Sequence, residues 1–348
     1  IENYFLWGEE NKKELLMGFQ SIENKLILAG NQRIEILKEP LINFFLEEGI
    51  KIKKKLGDFI LVTTKFPKAN FIKRPDLQDF VEHQIQKGWL YNDHLVNCAR
   101  DALEHEQQNL SKLIEFLIEF SKKNKDELIV IRPHPNEDYS TYENAFKKYT
   151  NIKIIKDHDN TNSWIAASKF LIHFNCTTGL EAFLLNKRGF NFMPFKNEKV
   201  EYKVLKNVSE VIRNTNDLID INKNFENKIP NYQEKLKKLE RYIYNIGDMN
   251  FSSIVLYHLK KQTNFGKNSD KFTGTFFTNL LKFRLIVKKF FENKDISSFE
   301  KKSLQKLKPF NTNEIFGVYQ NLLKKFDIPD SKLDFKEILP RIYLIKQK

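Results

Sequence analysis

Short hydrophobic segments alternate with amphipathic ones along much of this chain. Segments rich in aliphatic, β-branched and aromatic residues, typical of buried strands, occur at 58–66, 127–131, 152–156, 169–174 and 189–193. From the second of these onward, a segment with helical periodicity separates each strand from the next, and residues 76–124 are also predicted to be helical. Strands and helices that alternate at this spacing indicate βαβ crossovers and therefore a parallel sheet.

The flanking segments predict two further regions. Residues 1–50 predict two strands, each followed by a helix, which are too few to close a core and are typical of a Rossmann-like domain that lacks its first half. The lysine-rich segment 51–57 predicts a linker. Beyond about residue 245 the pattern indicates long basic helices without strands. Because the chain opens on Ile1, we expect it to be part of a longer one.

We therefore expect an α/β fold in three regions. They are a remnant of an N-terminal Rossmann-like domain with its linker (1–56), a Rossmann-like domain with a parallel sheet (57–245) and a helical C-terminal region (246–348).

Composition narrows the classes of partner. The net charge of +13 fits nucleic acid, an anionic membrane or a polyanionic substrate. The basic residues are spread out, without zinc-finger spacing or an RNA-binding aromatic signature, which argues against nucleic acid. No apolar segment reaches the roughly 18 residues of a membrane span, and no signal peptide is visible. Cys98 and Cys176 lack CxxC spacing, so we expect free thiols, a cytoplasmic location and no bound metal.

The polar segments that follow the predicted strands are candidates for a binding site. They lie at 63–66, 132–138, 157–162 and 175–179. Ligands of parallel sheets bind at the carboxyl ends of the strands. We therefore expect these segments to line one edge of the sheet.

The first candidate is the RPHP turn, residues 132–135. A proline on each side of His134 removes backbone donors and forces the chain out of the strand, which leaves the imidazole at the edge of the sheet. Arg132 can clamp a phosphate through two hydrogen bonds, and His134 can donate a hydrogen bond or a proton. A rigid turn, with Arg132 in a salt bridge and His134 half-buried, explains the same residues equally well.

The second candidate is the threonine turn, residues 175–179, which joins a strand to a helix. Backbone N–H groups and the hydroxyls of Thr177 and Thr178 would form a phosphate cradle, and Glu181 in the first turn would reach a ribose hydroxyl. An ordinary capping box with Glu181 is the alternative. Cys176 is a candidate nucleophile, although a small filler side chain is the simpler interpretation.

Both turns are predicted at the same end of one sheet, and both suit an anion. A nucleotide monophosphate or diphosphate would satisfy them together. The segment 157–162 between them is then a candidate for contact with the base, through His158, although loops of this kind are commonly solvated turns.

These motifs resemble a known family. RPHPNED, NIKIIK…SWIAASKFLIH and NCTTGLEAFLLNK are similar to bacterial surface-carbohydrate biosynthesis proteins with a GT-B fold. FLWGEENKKELL, LILAGNQRIEIL and DFILVTTKF resemble the segments that join the two Rossmann-like halves of those proteins. The resemblance covers roughly residues 3–195. It extends to transferases of CMP-activated acidic sugars (Kdo and sialic-acid relatives), to CDP-glycerol polymerases and, less closely, to UDP-GlcNAc 2-epimerases, whose Ser-Gly-Gly loop is replaced here by residues 175–177.

The resemblance implies a metal-independent GT-B glycosyltransferase that transfers a sugar, expected to be a CMP-activated acidic sugar, from a nucleotide-sugar donor to a glycan or glycolipid acceptor. It implies that His134 contacts the donor phosphate and stabilises its departure, with support from Arg132, and that no cofactor is needed besides the donor. The donor-binding residues that it implies are Thr63, Thr64, Lys65, Asn175, Thr177, Thr178, Gly179 and Glu181. The general base of inverting GT-B enzymes commonly comes from the N-terminal half, most of which we expect to be missing here, so no base is assigned. Glu9 is conceivable, although a surface acid after a strand is the simpler description.

Two alternatives stay open. One is a CDP-polyol phosphotransferase or a UDP-sugar 2-epimerase, and the other is a non-catalytic, membrane-associated assembly protein that retains the fold. In the segment 271–294, large apolar residues alternate with lysine and arginine, as in a helix that lies on an anionic membrane such as the inner face of the inner membrane. A helix packed on its own domain has the same composition.

Overall fold

The computed structural model describes residues 3–72, 79–156, 160–226, 228–247, 251–261, 317, 320, 333–339 and 342–347. The chain divides into two compact units, 1–255 and 256–348. The strands of the first unit are β1 (Tyr4–Leu6), β2 (Leu26–Leu28), β3 (Phe59–Thr63), β4 (Leu128–Arg132), β5 (Ile152–Ile154), β6 (Leu171–His173), β7 (Gly189–Phe192) and β8 (Glu210–Ile212). Its helices are α1 (Glu9–Gly18), α2 (Gln32–Glu35), α3 (Ile42–Leu56), α4 (Phe80–Gln86), α5 (Asp93–Lys123), α6 (Tyr139–Phe146), α7 (Thr161–Ala167), α8 (Thr178–Leu184), α9 (Thr215–Lys223) and α10 (Tyr232–Leu239). Helix α11 (Phe251–Lys261) crosses the boundary, and β9 (Leu333–Leu339) and β10 (Ile342–Gln347) belong to the second unit.

Six parallel strands form the central sheet of the first unit, in the order β5-β4-β3-β6-β7-β8. The chain enters at β3, adds β4 and β5 on one side, and then crosses to β6, β7 and β8 on the other. This is the doubly wound order of Rossmann-like folds, in which the direction of winding reverses beside the first strand. The α/β class with a parallel sheet, which the hydrophobic pattern predicts, is therefore confirmed.

Successive residues of each strand face opposite sides of the sheet, and each side has its own core. Ile60, Val62 and Ile131 pack on one side, which α5, α6 and α9 cover. Phe59 and Leu61 pack on the other side, which α3, α7 and α8 cover. Both faces are covered, which explains why these strands are continuously apolar in sequence.

The N-terminal strands β1 and β2 form a separate parallel pair. The segment after β1 is attached to residues 241–244, because the amide of Glu10 donates to the carbonyl of Arg241 (3.0 Å) and the amide of Tyr244 donates to the carbonyl of Trp7 (2.7 Å). Gly8 is required between these contacts, since a Cβ atom there would lie 2.4 Å from the carbonyl carbon of Tyr242.

Several sequence-based predictions about helices need correction. The predicted linker 51–57 is instead the end of α3, whose Ile52 and Leu56 pack against the sheet and whose last turn carries lysines that favour the negative end of the helix dipole. The helix predicted over 76–124 is two helices, because Gly88 takes a left-handed conformation (φ 71°) between α4 and α5. Strand β8 is missed by the hydrophobic pattern, since it is a three-residue edge strand with two exposed residues.

The prediction of a C-terminal region without strands is wrong for residues 333–347. Strands β9 and β10 pair there as an antiparallel hairpin. Their sequence is rich in isoleucine, leucine, tyrosine and phenylalanine in partial alternation with charged residues, a composition that favours strands over helices. The segment 271–294 lies outside the described residues. Within the part of the chain that the structure describes, no helix is both long and apolar enough to span a bilayer.

Candidate functional site

The candidate site lies where β3, β4 and β6 end. Thr63, the last residue of β3, pairs in register with Arg132 on one side and with His173 on the other. The strand order reverses between β3 and β6, which is where open α/β sheets form a ligand-binding crevice. Three of the four polar segments predicted to line one edge of the sheet, 63–66, 132–138 and 175–179, do so. His158, in the fourth, lies outside the described residues.

Three consecutive residues at the end of β3 join the two predicted turns. Thr63 and Thr178 share a hydrogen bond of 2.9 Å between their Oγ1 atoms, and Lys65 Nζ donates to the carbonyl of Asn175 at 3.1 Å. These two contacts reach the threonine turn. Thr64 serves the other turn, because its Oγ1 accepts a hydrogen bond from the backbone N–H of His134 at 3.2 Å. The RPHP turn and the threonine turn therefore meet at residues 63–65.

A buried carboxylate, Glu137, holds the RPHP turn in place. Its oxygens accept hydrogen bonds from Thr64 Oγ1 (2.9 and 3.0 Å), from the backbone N–H of Phe66 (2.9 Å) and from the hydroxyl of Tyr142. Burial is the main cause that raises the pKa of Glu137 to about 7, and the same burial raises the pKa of Tyr142. Thr64 thus donates to Glu137 while it accepts from His134.

The raised pKa of Glu137 predicts a pH dependence of folding stability. The folded protein binds this proton more tightly than the unfolded chain, so the contribution of Glu137 to stability is greatest below pH 4.5, the ordinary pKa of a glutamate, and falls as pH rises to about 7. Glu137→Gln removes the titrating group. In urea unfolding, we expect the wild type to lose free energy of unfolding relative to Glu137→Gln, by about 3 kcal/mol from about pH 4.5 to about pH 7. Parallel pH curves for the two proteins would contradict this prediction.

Within the RPHP turn, His134 is half-buried, and a neighbouring backbone N–H group determines which of its ring nitrogens carries the proton. Nδ1 accepts a hydrogen bond from the backbone N–H of Asn136 at 3.1 Å, so the neutral ring carries its proton on Nε2. Arg132 is 7% exposed, and its guanidinium carbon lies 5.1 Å from the centre of the Trp164 ring. The side chain of Arg132 therefore lies at the sheet edge beside α7.

The threonine turn is built on a buried histidine. His173 is 1% exposed, its Nε2 lies 2.8 Å from Ser209 Oγ, and its Nδ1 accepts a long hydrogen bond (3.5 Å) from the backbone N–H of Cys176. Burial, and to a lesser extent Lys65, lowers the pKa of His173 to about 3, so the ring is neutral. Gly179 allows α8 to begin directly on this ring, since a Cβ atom there would lie 2.3 Å from Nε2.

Asn175 fixes the path of the turn and of the segment beside it. Its backbone is left-handed (φ 40°), a conformation that asparagine tolerates better than most residues. Its side chain accepts from the N–H of Tyr202 and donates to the carbonyl of Val200, both at 2.8 Å. The carbonyl of Asn175 receives Lys65, whose ammonium also lies 3.8 Å from the centre of the Tyr202 ring. These contacts place Lys65 and Tyr202 together.

The start of α8 does not form the capping box that is the alternative interpretation of this sequence. The N-cap is Thr177, and its side chain makes no capping hydrogen bond. Glu181 instead accepts a hydrogen bond of 2.6 Å from Arg33, on α2, and burial raises the pKa of this carboxyl. Among the described residues, the backbone N–H groups of Thr177 and Thr178 have no acceptor. They are the donors that a phosphate at this helix start would use.

A cleft of about 560 Å³ opens beside the threonine turn. Thr177 and Tyr202 line it on one side, and Trp7, Glu10 and Glu14 from the N-terminal segment line it on the other. Trp7 is 41% and Tyr202 is 45% exposed, so two aromatic faces are accessible there. Glu9, the acid that the sequence suggests as a base, is exposed and does not line the cleft.

Sequence reasoning missed several residues of this site. Glu137 lies inside the RPHPNED motif and His173 directly precedes the threonine turn, but nothing in a single sequence shows that they are buried polar anchors. Arg33 is separated from Glu181 by 148 positions, which no local pattern spans. The sequence favours packing roles for both Trp7 and Trp164. Trp164 is indeed buried against Phe59, but Trp7 is 41% exposed and lines the cleft. Within the described residues, Cys98 and Cys176 are free thiols, and no group of three or more potential metal ligands occurs.

Comparisons with known proteins find similar structures but no matching sequence family. No protein-family model matches the chain, and no curated protein matches it. The wall teichoic acid polymerase TagF aligns with 75% of this chain at 15% identity and a TM-score of 0.45. The UDP-GlcNAc 2-epimerase of Methanocaldococcus jannaschii aligns with 75% of this chain at 15% identity and a TM-score of 0.45. The UDP-GlcNAc 2-epimerase of Neisseria meningitidis, bound to UDP-GlcNAc, aligns with 75% of this chain at 16% identity and a TM-score of 0.40. The aligned regions span 59%, 62% and 61% of those chains.

Proposed function

We propose that this chain is the nucleotide-binding part of a GT-B-type transferase of bacterial surface-glycan biosynthesis. It would transfer a sugar from a nucleotide donor, which we propose to be a CMP-activated acidic sugar, to a glycan or glycolipid acceptor. The observation that carries the proposal is the convergence of the RPHP turn and the threonine turn on residues 63–65, at the point where the strand order reverses.

The donor phosphate would lie at the start of α8. Thr177 and Thr178 have backbone N–H groups without an acceptor in the described part of the chain, and Lys65 supplies the cation beside them. When the bond between sugar and phosphate breaks, the electron pair remains on the phosphate oxygen, and fixed donors and cations stabilise that charge. His134 would donate from Nε2, the ring nitrogen that carries its proton.

The sugar and the acceptor would occupy the cleft. Exposed aromatic faces such as those of Trp7 and Tyr202 can pack against the apolar face of a sugar ring, and carboxylates can accept hydrogen bonds from its hydroxyls. We propose that Glu10 or Glu14, both from α1, accepts the proton of the attacking hydroxyl. This assignment replaces Glu9.

The test is a thermal-shift panel of CMP, CDP, UMP and UDP on the full chain. A nucleotide at about 100 times its Kd should stabilise the folded protein by about 2.7 kcal/mol and raise Tm accordingly, and we expect the largest shift with CMP. Lys65→Met should abolish this shift, since it removes the cation beside the helix start. Lys87→Met, which neutralises an exposed lysine at the end of α4, should retain it.

The same panel separates the alternatives. A shift with UDP alone favours the epimerase class, and a shift with CDP that is followed by release of CMP from CDP-glycerol favours the phosphotransferase class. If no nucleotide raises Tm while vesicles with anionic lipid bind the chain, the enzyme proposal is wrong and an assembly protein is favoured.

A further inference from the structure

A second cavity, of about 220 Å³, lies where β7 and β8 end. It shares Glu201 and Tyr202 with the cleft, so these two residues stand between the two cavities. Three cationic side chains line it, and we call it the basic pocket: Lys196, Lys206 and Arg213. The carboxylate of Glu201 is the acidic group in its lining.

The cations of the basic pocket are only loosely neutralised. Lys196 pairs with Glu198 at 2.6 Å, but both side chains are more than half exposed. Lys206 Nζ lies 3.5 Å from the Glu201 carboxylate. Within the described part of the chain, the guanidinium of Arg213 has no hydrogen-bond acceptor, because the neighbouring Asp217 carboxylate accepts from the backbone N–H groups of Arg213 and Asn214 and not from the Arg213 side chain. The Lys196–Glu198 pair is exposed and contributes little, so Lys196 can exchange partners, whereas the Glu201 carboxylate near Lys206 is only 9% exposed.

Two buried side chains of the basic pocket have donors without acceptors. Asn191 is 8% exposed, and its Oδ1 accepts from the backbone N–H of Asn175 at 2.9 Å. Its Nδ2 group has no acceptor among the residues that the structure describes, although Asn191 lines the pocket. Because Asn191 lines the pocket, a ligand or a water molecule there can accept this hydrogen bond.

Ser209 is the second such side chain, and His173 determines the direction of its hydrogen bond. Because Nδ1 of His173 accepts from Cys176, Nε2 carries the proton and donates to Ser209 Oγ. The hydroxyl hydrogen of Ser209, which is 8% exposed and lines the pocket, has no acceptor among the described residues.

We propose that the basic pocket binds an anionic group, a phosphate or a carboxylate, at a position distinct from the donor phosphate at the start of α8. The three cations would neutralise its charge, and Asn191 and Ser209 would donate hydrogen bonds to its oxygens. This inference goes beyond the proposed function, because it requires no reaction. The anion has two potential sources, a free inorganic ion and a charged group on a larger substrate that extends past Tyr202 from the cleft.

The test is calorimetric titration of the full chain with inorganic phosphate and with glycerol 3-phosphate in a phosphate-free buffer. Asn191→Asp is isosteric and keeps the oxygen that accepts from Asn175, but it replaces the donor with a negative charge. We expect it to weaken phosphate binding by at least about ten-fold, and Lys206→Gln with Arg213→Gln to do the same. Asn216→Asp, the same change at an exposed position of α9, should stay within about two-fold of the wild type.

The titrations distinguish the two sources of the anion, and they distinguish a failure of this proposal from a failure of the proposed function. Equal affinities for the two ligands indicate a free anion, and tighter binding of glycerol 3-phosphate indicates a group carried on a larger substrate. Absence of millimolar phosphate binding by the wild type, or unchanged affinity in both pocket variants, overturns the proposal. The CMP thermal shift is measured on the same proteins. Its retention in the pocket variants shows that the nucleotide site is intact, and its absence in the wild type contradicts the proposed function alone.

Discussion

Glu137→Ala should lower the free energy of unfolding by about 4 kcal/mol, the largest loss that we expect from one substitution in this site. The variant leaves three buried donors without an acceptor: the hydroxyls of Thr64 and Tyr142 and the backbone N–H of Phe66. Each such donor destabilises the folded state by about 1–3 kcal/mol. Urea unfolding at about pH 5, below the raised pKa of Glu137, where its contribution to stability is still near its greatest, measures the loss.

The matched control is Glu143→Ala on α6. Glu143 is 44% exposed and pairs with Lys156 at the surface, so its removal should change the free energy of unfolding by less than about 1 kcal/mol. Because Thr64 also accepts from the backbone of His134, the Glu137→Ala variant should bind the nucleotide more weakly as well. A loss of stability no larger than that of the control would show that Glu137 is not the anchor of the RPHP turn.

Gly179→Ala should destabilise the protein by about 3 kcal/mol and weaken nucleotide binding at the same time. The added methyl carbon would lie 2.3 Å from Nε2 of His173 and 2.8 Å from Ser209 Oγ. Both neighbours are buried and hydrogen-bonded to each other, so neither can move without loss of that bond. The first turn of α8 would have to shift instead, and the backbone donors of Thr177 and Thr178 would shift with it.

Gly18→Ala provides the comparison, since a Cβ atom at Gly18 meets nothing within 4 Å and the residue ends α1. We expect that variant to be neutral or more stable by up to about 1 kcal/mol. Thermal unfolding with and without CMP reports both effects on the same samples. If Gly179→Ala keeps the stability and the CMP shift of the wild type, the close packing of α8 on His173 has no functional importance.

The parts of this fold that follow from the sequence are those with local causes. The strands β3, β4, β6 and β7 are buried on both faces, so their apolar character is continuous and their positions can be predicted within a few residues. The carboxyl-edge position of the two turns then follows from the parallel sheet alone. The short edge strand β8 and the break between α4 and α5 each depend on one or two residues. The hydrophobic pattern of the sequence therefore does not predict them.

The parts that do not follow are the contacts between distant segments. Thr64 and Glu137 are 73 positions apart, and Thr63 and Thr178 are 115 apart. A threonine pair after a strand is compatible with solvent, with a ligand or with another side chain, and only the fold decides among these. The same is true of the acids on α1: Glu10 lines the cleft and Glu9 does not, although they are neighbours in a charged segment.

Thr63, the last residue of β3, and Thr64, which follows it, also make the site sensitive to chain length. Thr63 faces the side of the sheet that α8 covers, and Thr64 faces the side that α6 covers, because successive residues of a strand alternate between faces. A one-residue insertion or deletion before Thr63 would exchange these two side chains and detach both turns at once. Two ladders, with β4 and β6, oppose such a slip. Length changes are therefore far more disruptive here than any conservative replacement of either threonine.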